Sequence, residues 1–161
     1  MKCKNFLDNC FRLCYIESVA NRNNQPITKG GSDMKDKIDV LKDRFGILET
    51  WNRILVNTTP HKINIMLQGE ILEIPAAKQP LRLREEARFI GIAGHIPLYE
   101  KEFFLEDSLP PEDEKDEILY IVPVIVAHLF RKTRRDLVIP HELVRDVNGN
   151  IIGCQGLAFV D

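Results

Sequence analysis

The sequence feature that most constrains the fold is an apolar run, Ile118–Phe130 (ILYIVPVIVAHLF), in which His128 is the one residue that is neither apolar nor proline. The run is too short to cross a membrane, which takes about 20 residues. Pro123 divides it, because proline lacks an N–H and cannot continue a central strand but suits the first turn of a helix. The sequence therefore predicts a buried strand up to Val122 and a short helix from Pro123 to Arg131, with His128 as a core or edge residue.

The segments on either side of this run predict an α+β protein. Apolar residues recur at three- and four-residue steps in 34–54, which indicates a helix. From Leu55 the period changes to two, which is typical of strands with one buried face. Asn148-Gly149 is a turn pair that accepts positive φ at both positions, so it predicts a hairpin. We expect a mainly antiparallel, strongly bent or partly barrel-like sheet, with one short helix after the central strand and an N-terminal helical extension.

The first 33 residues differ in character from the rest of the 161-residue chain. A short amphipathic helix is predicted over 4–19, followed by a polar linker, and Met34 is an alternative start. Residues 34–161 are predicted to form one α+β domain, with the helix at 34–54 and the sheet-rich core at 55–160. No secretory signal is apparent, so Cys3, Cys10, Cys14 and Cys154 are expected to be free thiols in a cytoplasmic protein, in the host cytoplasm if the protein is viral.

Several short motifs follow one another in a fixed order. They are Asn57–His61 at a strand entry, Tyr120–Val122 with Val126-Ala127, Arg135–Leu137 before Pro140, and Val144–Asp146 with Gly149, Ile151–Gly153 and Gly156-Leu157. As a set they resemble a family of small, largely uncharacterised proteins found in bacteria and their phages. The resemblance covers about 55–159, and the chain departs from it at Thr58 and Pro123. It implies a microbial or viral setting and a single compact domain. No activity can be carried over from this family.

The NTTPH segment is the first candidate for function. Asn57 and the threonines after it can hydrogen-bond nearby backbone groups and fix a turn. His61 could then stand at the sheet edge as a hydrogen-bond donor or proton carrier. The alternative is a structural turn whose histidine satisfies a backbone carbonyl.

Arginines provide the second candidate. Arg131, Arg134 and Arg135 follow the predicted helix, and Arg82 and Arg84 could line the same sheet face. Guanidinium groups bind phosphate in a bidentate manner, so the cluster predicts an anion site. The alternative is a solvated helix end, where the helix dipole favours positive charge.

The third candidate combines His141 and Arg145 with Asp146. A catalytic His–Asp pair is conceivable, with His61 or His141 as the acid–base residue, but no nucleophile is placed by the sequence. Cys154 lies in a strand context that indicates a buried, inert thiol. Glycine-rich phosphate loops and HxxxH spacings are absent from the sequence, so neither a cofactor nor a metal is indicated.

Three functions remain open from the sequence. We favour a non-enzymatic phage or bacterial accessory protein that holds a host protein or an anionic ligand, which includes a nucleotide. The predicted ligand-binding residues are Asn57, His61, Arg82, Arg84, Arg131, Arg134, Arg135 and Arg145. The alternatives are a small hydrolase or transferase acting on a phosphate-bearing substrate, and a virion-associated structural or assembly subunit. Homo-oligomer formation is left open by the sequence. The net charge of −2 gives no strong signal for nucleic-acid binding.

Overall fold

The structure is a computed structural model that describes residues 32–113, 115 and 117–160. The predicted extension therefore lies outside the described residues, apart from its last two residues. So do three of the cysteines. The described chain forms the following elements in order: α1 (Ser32–Arg44), β1 (Gly46–Glu49), β2 (Ile54–Asn57), β3 (Ile63–Leu67), β4 (Glu70–Ile74), β5 (Leu83–Ala93), β6 (Ile96–Leu105), β7 (Ile118–Ile121), α2 (Val124–Phe130), β8 (Leu137–Arg145) and β9 (Ile151–Ala158).

Seven of the strands form one sheet in the order β1-β2-β7-β8-β9-β3-β4. Its edge strands β1 and β4 approach each other, so the sheet curls into a nearly closed barrel. Gly46 lies at this seam, where an added Cβ would be 1.8 Å from the carbonyl oxygen of Pro75. Only glycine permits so close an approach of two backbones. The predicted α+β fold with a barrel-like sheet is confirmed.

Three of the strand pairings are parallel, which the sequence analysis did not predict. β2 pairs with β7, β7 with β8, and β3 with β9 in this way. The remaining pairings of the large sheet, and that of β5 with β6, are antiparallel. Parallel strands need a crossover connection rather than a tight turn, and α2 supplies one between β7 and β8. β2, β7 and β8 therefore share one carboxyl-terminal edge, and β3 and β9 begin at that edge because β9 is antiparallel to β8.

The larger core cluster lies between α1, α2 and one face of the strands β2, β7 and β8. Its central side chain is Tyr120, which is fully buried. The residues packed around it are Leu41, Phe45, Ile54, Val56, Ala77, Leu81, Ile118, Val122, Val126, Ala127 and Leu137. A second cluster on the other side of the sheet contains Leu55, Ile63, Ile65, Ile74, Ile121, Val138 and Cys154.

Helix α1 ends at Arg44 and does not continue to residue 54 as predicted. The apolar spacing beyond Phe45 suggested further turns, but Gly46 is needed at the barrel seam. The residues after it pair with β2 as a short strand. Trp51, which is within the predicted helical segment, lies in a loop and is 61% exposed.

Pro123 separates β7 from α2, as predicted. Its ψ of 144° is extended, and its carbonyl accepts the first helical bond from the Ala127 N–H. The helix is only partly buried, however, because Val126 and Ala127 face the core while its other side is open to solvent. His128 lies on this open side, so it is an exposed residue and not a core one.

The C-terminal hairpin differs from the prediction in two details. The sequence predicts a strand over Leu137–Ile139 that ends at Pro140, whereas β8 runs to Arg145. β7 pairs with β8 at Leu137 and Val138. Pro140 comes after these two residues, where β8 no longer pairs with β7, so its missing N–H is tolerated on that edge of the strand. Gly149 takes positive φ (85°) but Asn148 does not. The Asp146 carboxylate instead organises a longer loop by accepting the N–H groups of Asn148 and Asn150.

The second sheet consists of β5 and β6, a long hairpin that we call the β5–β6 arm (83–105). Leu83 and Leu105 at its root pack against the core. Beyond the root, most residues on both faces of the arm are exposed. The alternation of apolar and polar residues predicted strands in this segment. It did not predict that these strands form a separate sheet outside the barrel.

The acidic loop before β7 is anchored by Asp113, whose side chain is 5% exposed. Its carboxylate accepts hydrogen bonds from the Glu117 and Ile118 N–H groups, and Lys37 Nζ lies 3.0 Å away. Burial acts to raise the pKa of Asp113, but the bonds from Lys37 and the two backbone groups outweigh it and hold the pKa below its ordinary value.

Because the pKa of Asp113 is lowered in the folded protein, the stability of the fold should depend on pH. The ionised Asp113 stabilises the fold above the pKa of an unfolded aspartate, about 3.9, and that contribution is lost as the pH falls through the lower folded value. We expect Asp113→Asn to unfold at lower urea concentration than the wild type at pH 7. The difference should shrink as urea titrations are repeated from pH 5 to pH 3, whereas a constant difference would contradict the assignment.

Candidate functional site

A groove of 820 Å³ opens at the carboxyl-terminal edge of β2, β7 and β8. The register places Asn57, Ile121 and Val138 side by side in β2, β7 and β8, and the residues that follow each of them contribute to the groove. Its lining consists of Thr59, Pro60, His61, Lys62, Ile63, Asn64, Val122, Pro123, Val124, Pro140, Leu143, Ile151, Ile152, Gly153 and Cys154.

One rim of the groove is the NTTPH turn, which is held by the buried side chain of Asn57. Its Nδ2 donates to the carbonyls of His61 (2.7 Å) and Pro75 (2.8 Å). Its Oδ1 accepts the N–H and the hydroxyl of Thr59 at 2.9 and 2.7 Å. All four hydrogen-bonding positions of Asn57 are therefore used in shaping the turn, so its side chain is not itself available to a ligand.

Thr58 joins this turn to the next strand. Its hydroxyl and its N–H both donate to the carbonyl of Ile121, at 2.8 and 3.0 Å. The end of β2 is thus tied to the end of β7, immediately before Pro123 and Val124 enter the groove. Asn57 and Thr58 have a structural role, because they hold the backbone of the turn. This role is compatible with a functional role for His61, which the same turn exposes at the groove.

The opposite wall is formed where β9 pairs with β3. Gly153 allows this contact, since an added Cβ would lie 2.7 Å from the Asn64 carbonyl oxygen. The Asn64 side chain donates from Nδ2 to the Ile152 carbonyl at 3.0 Å. Its Oδ1 is buried and has no hydrogen-bond partner among the described residues. A buried acceptor without a partner is costly, so this atom marks a place where a ligand donor would be favoured.

Cys154 lies at the floor of the groove and is buried, as the sequence predicted. Burial raises the pKa of its thiol, against the smaller opposing effect of backbone N–H groups. A thiol with a raised pKa has little thiolate at neutral pH and is a weak nucleophile. The side chain therefore contributes shape and apolar surface to the floor.

The groove is apolar on most of its surface and has basic groups at one rim. Val124, Leu143, Ile151 and Ile152 are each between 40% and 54% exposed around it. Lys62 is paired with Glu73 across a 2.9 Å contact, but both side chains are more than half exposed, so the pair is weak and the ammonium remains accessible. None of the described lining residues is acidic.

The predicted arginine cluster lies elsewhere. Arg131–Arg135 precede β8, which places them at the amino-terminal edge of β2, β7 and β8, opposite the groove. Arg134 is bound to the Asp136 carboxylate by two hydrogen bonds of 2.8 and 2.7 Å, and to the Pro110 carbonyl by a third. Burial acts to lower the pKa of Arg134, but the hydrogen bond and charge of Asp136 raise it overall. Arg134 is engaged inside the protein.

The other predicted residues are dispersed. Arg135 is exposed, and its N–H donates to Glu112. Arg84 pairs with Glu86 on the arm, and Arg145 donates to the Gly149 carbonyl within its own loop. Arg82 and Arg131 are exposed, at the root of the arm and at the end of α2. Within the described residues, none of the six predicted arginines lines the groove.

The two predicted histidines are also separated. His61 lines the groove, whereas His141 lies on β8 with its Nε2 3.8 Å from a carboxylate oxygen of Glu142. The side chains of His141 and Glu142 are both 60% exposed. The described residues contain no group of three or more His, Cys, Asp or Glu side chains arranged to hold a metal ion. No described helix is long and apolar enough to span a membrane.

Sequence reasoning found one lining residue of the groove, His61, and the turn beneath it. It missed Lys62, Asn64 and the apolar wall, because these become neighbours through the β3–β9 pairing of distant segments. No family model, curated protein or solved structure matches this chain.

Proposed function

We propose that this protein is a non-enzymatic binding protein whose ligand is an anionic small molecule with an apolar or planar body, such as a nucleotide. The observation that carries the proposal is the groove, which combines an apolar wall with a basic rim and has no acidic side chain among its described lining residues. Its volume falls within the range of about 300–1,000 Å³ typical of small-molecule sites.

Each part of the groove suits one part of such a ligand. Lys62 and His61 can donate to a phosphate, with the ammonium giving a charge-assisted bond. The exposed apolar side chains around Ile151 and Ile152 offer a surface for a planar ring. The buried Asn64 Oδ1 can accept an N–H from a nucleobase edge.

The setting that we propose is bacterial or viral, with the protein acting in the cytoplasm as an accessory factor. The family resemblance supports the setting. The lack of a described membrane-spanning helix is compatible with the compartment. Native mass spectrometry of protein purified from its host will show whether a small anionic molecule is retained.

Removing the ammonium should weaken binding without unfolding the protein. We expect Lys62→Ala to lower the affinity for the best nucleotide in a thermal-shift screen roughly 10- to 100-fold, since a hydrogen bond to a charged group is worth about 1.5–3 kcal/mol. The melting temperature without ligand should change little, because the Lys62–Glu73 pair is exposed. Isothermal titration calorimetry measures the affinity.

The matched control is Lys78→Ala, because Lys78 is an exposed lysine that does not line the groove. A second test places charge on the apolar wall: Ile151→Glu should weaken nucleotide binding and Ile151→Lys should strengthen it. If no nucleotide or other phosphate compound stabilises the wild-type protein, the small-molecule proposal fails. Equal effects of the two Ile151 variants would show that the anion does not occupy this groove.

A further inference from the structure

The loop at the end of the β8–β9 hairpin contains the one Asn-Gly pair of the sequence, Asn148-Gly149. Both residues are exposed, and Gly149 has a positive φ of 85°. Because glycine has no Cβ, its backbone nitrogen can approach the side chain of the residue before it. Within the described residues, the hydrogen bonds of this loop leave the Asn148 side chain without a partner. Its amide group is therefore accessible to the Gly149 nitrogen.

These two groups can react with each other in water. The Gly149 nitrogen loses its proton to solvent and bonds to Cγ of Asn148, the Cγ–Nδ2 bond breaks, and Nδ2 takes up a proton and leaves as ammonia. The product is a succinimide ring. Water then adds to one of the two ring carbonyls and opens the ring, which gives either aspartate or isoaspartate. The reaction consumes water alone and needs no oxidant or cofactor.

The loop holds the attacking nitrogen in place. Its N–H donates to the Asp146 carbonyl at 3.0 Å, and the Gly149 carbonyl accepts from the Arg145 guanidinium at 2.7 Å. The Asp146 carboxylate accepts the N–H groups of Asn148 and Asn150, each at 2.8 Å, and the Asn150 side-chain amide at 3.0 Å. The proton that must leave is thus held in a hydrogen bond, and the backbone on both sides of it is fixed.

We propose that Asn148 is a deamidation site that Asp146 keeps slow in the folded protein, and that its conversion loosens one wall of the groove. In isoaspartate the main chain passes through the former side chain, so the backbone between Asp146 and Asn150 gains one carbon. The hydrogen bond from the Asp146 N–H to the Asn150 carbonyl, 2.9 Å long, closes the loop and cannot keep its geometry across the longer chain. Either product also adds a carboxylate near that of Asp146, and like charges repel.

The effect reaches the groove because the loop joins two strands that line it. Leu143 lies on β8, and Ile151 and Ile152 begin β9 directly after the loop. Ile151 pairs with Arg145, but the register shifts between Arg145 and Val144. The start of β9 therefore depends on the loop for its position, and a change in the loop moves the apolar wall.

Removing the Asp146 carboxylate should speed the reaction. The ligand-free full chain is incubated in warm, mildly alkaline buffer, and peptide mapping by mass spectrometry with isoaspartyl methyltransferase labelling measures the products at position 148. We expect folded Asp146→Ala to deamidate roughly tenfold faster than the folded wild type, since hydrogen bonds to a charged group are lost. In urea the two chains should react at equal rates, because neither then has the loop. Asp146→Asn keeps one acceptor oxygen, so it should be intermediate, and it replaces Asp146→Ala if that variant does not fold.

The chain offers two matched controls. Asn52 is exposed and precedes Arg53, whose side chain hinders the attack, so it should stay unmodified in the same samples. Asn148→Gln should give no product, because its longer side chain closes a less favourable ring. Hydrogen exchange measures the structural effect: the Asp146 amide and the first amides of β9 should exchange faster in the modified wild type than in the unmodified protein. They should be unchanged in Asn148→Gln after the same incubation.

These measurements need no ligand, so they are independent of the function proposed for the groove. Equal rates for the wild type when folded and in urea overturn the proposal, as do equal rates for folded wild type and folded Asp146 variants. A chain that gives no product at Asn148 even in urea overturns it as well. So does a modified protein in which the hairpin amides exchange as slowly as before.

Discussion

Arg134→Ala should lower the free energy of unfolding by about 3 kcal/mol, because removing one partner of a buried ion pair leaves the other charge without compensation. Asp136 is 1% exposed and would keep its carboxylate in the core. The Arg134 guanidinium also binds the Pro110 carbonyl and lies 5.8 Å from the Tyr120 ring centre. Urea titration at pH 7 measures the loss, which corresponds to a fall in Tm of roughly 10 °C.

The matched control is the neighbouring arginine. Arg135 is exposed and its described contact is made by the backbone N–H, so Arg135→Ala should change stability by no more than about 0.5 kcal/mol. The double variant Arg134→Ala/Asp136→Ala should recover part of the loss, since the unpaired charge has gone. A folded Arg134→Ala protein of wild-type stability would contradict the structural role and return Arg134 to the list of candidate anion-binding residues.

Asn57→Asp should destabilise the protein by about 3 kcal/mol and abolish the nucleotide binding that we propose for the groove. The substitution removes both donor hydrogens and sets a carboxylate oxygen against the carbonyls of His61 and Pro75 in a fully buried position. The turn that presents His61 and Lys62 then loses its support. Urea unfolding measures the first effect, and calorimetry with the best nucleotide measures the second.

The same chemical change at an exposed position provides the control, and Asn52→Asp should be neutral to within about 0.5 kcal/mol. Acid supplies a further test. A buried carboxyl has a raised pKa, so the folded Asn57→Asp protein takes up a proton as the pH falls and the deficit relative to wild type should narrow. A deficit that widens in acid would argue against a buried charge at this position.

The arginines illustrate why the candidate site could be predicted only in part. Arg131–Arg135 are close to one another in sequence and looked like a phosphate site. The parallel order of β2, β7 and β8 places them at one edge of the sheet and His61 at the other. Closeness in the sequence indicates a cluster of charges. It does not indicate which arginine will hydrogen-bond to Asp136 and to the Pro110 carbonyl inside the protein.

The sequence by itself determined the α+β class, the break at Pro123 between β7 and α2, the turn at Asn57–His61 and the buried state of Cys154. These depend on local properties: the missing N–H of proline, short polar side chains that bind their own backbone, and the period of apolar residues. The tertiary structure alone decided the groove, the closure at Gly46 and the projecting arm. Each requires segments far apart in the chain to meet, as Asn64 meets Ile152 and Gly46 meets Pro75, and no local pattern encodes which distant backbone will be the neighbour.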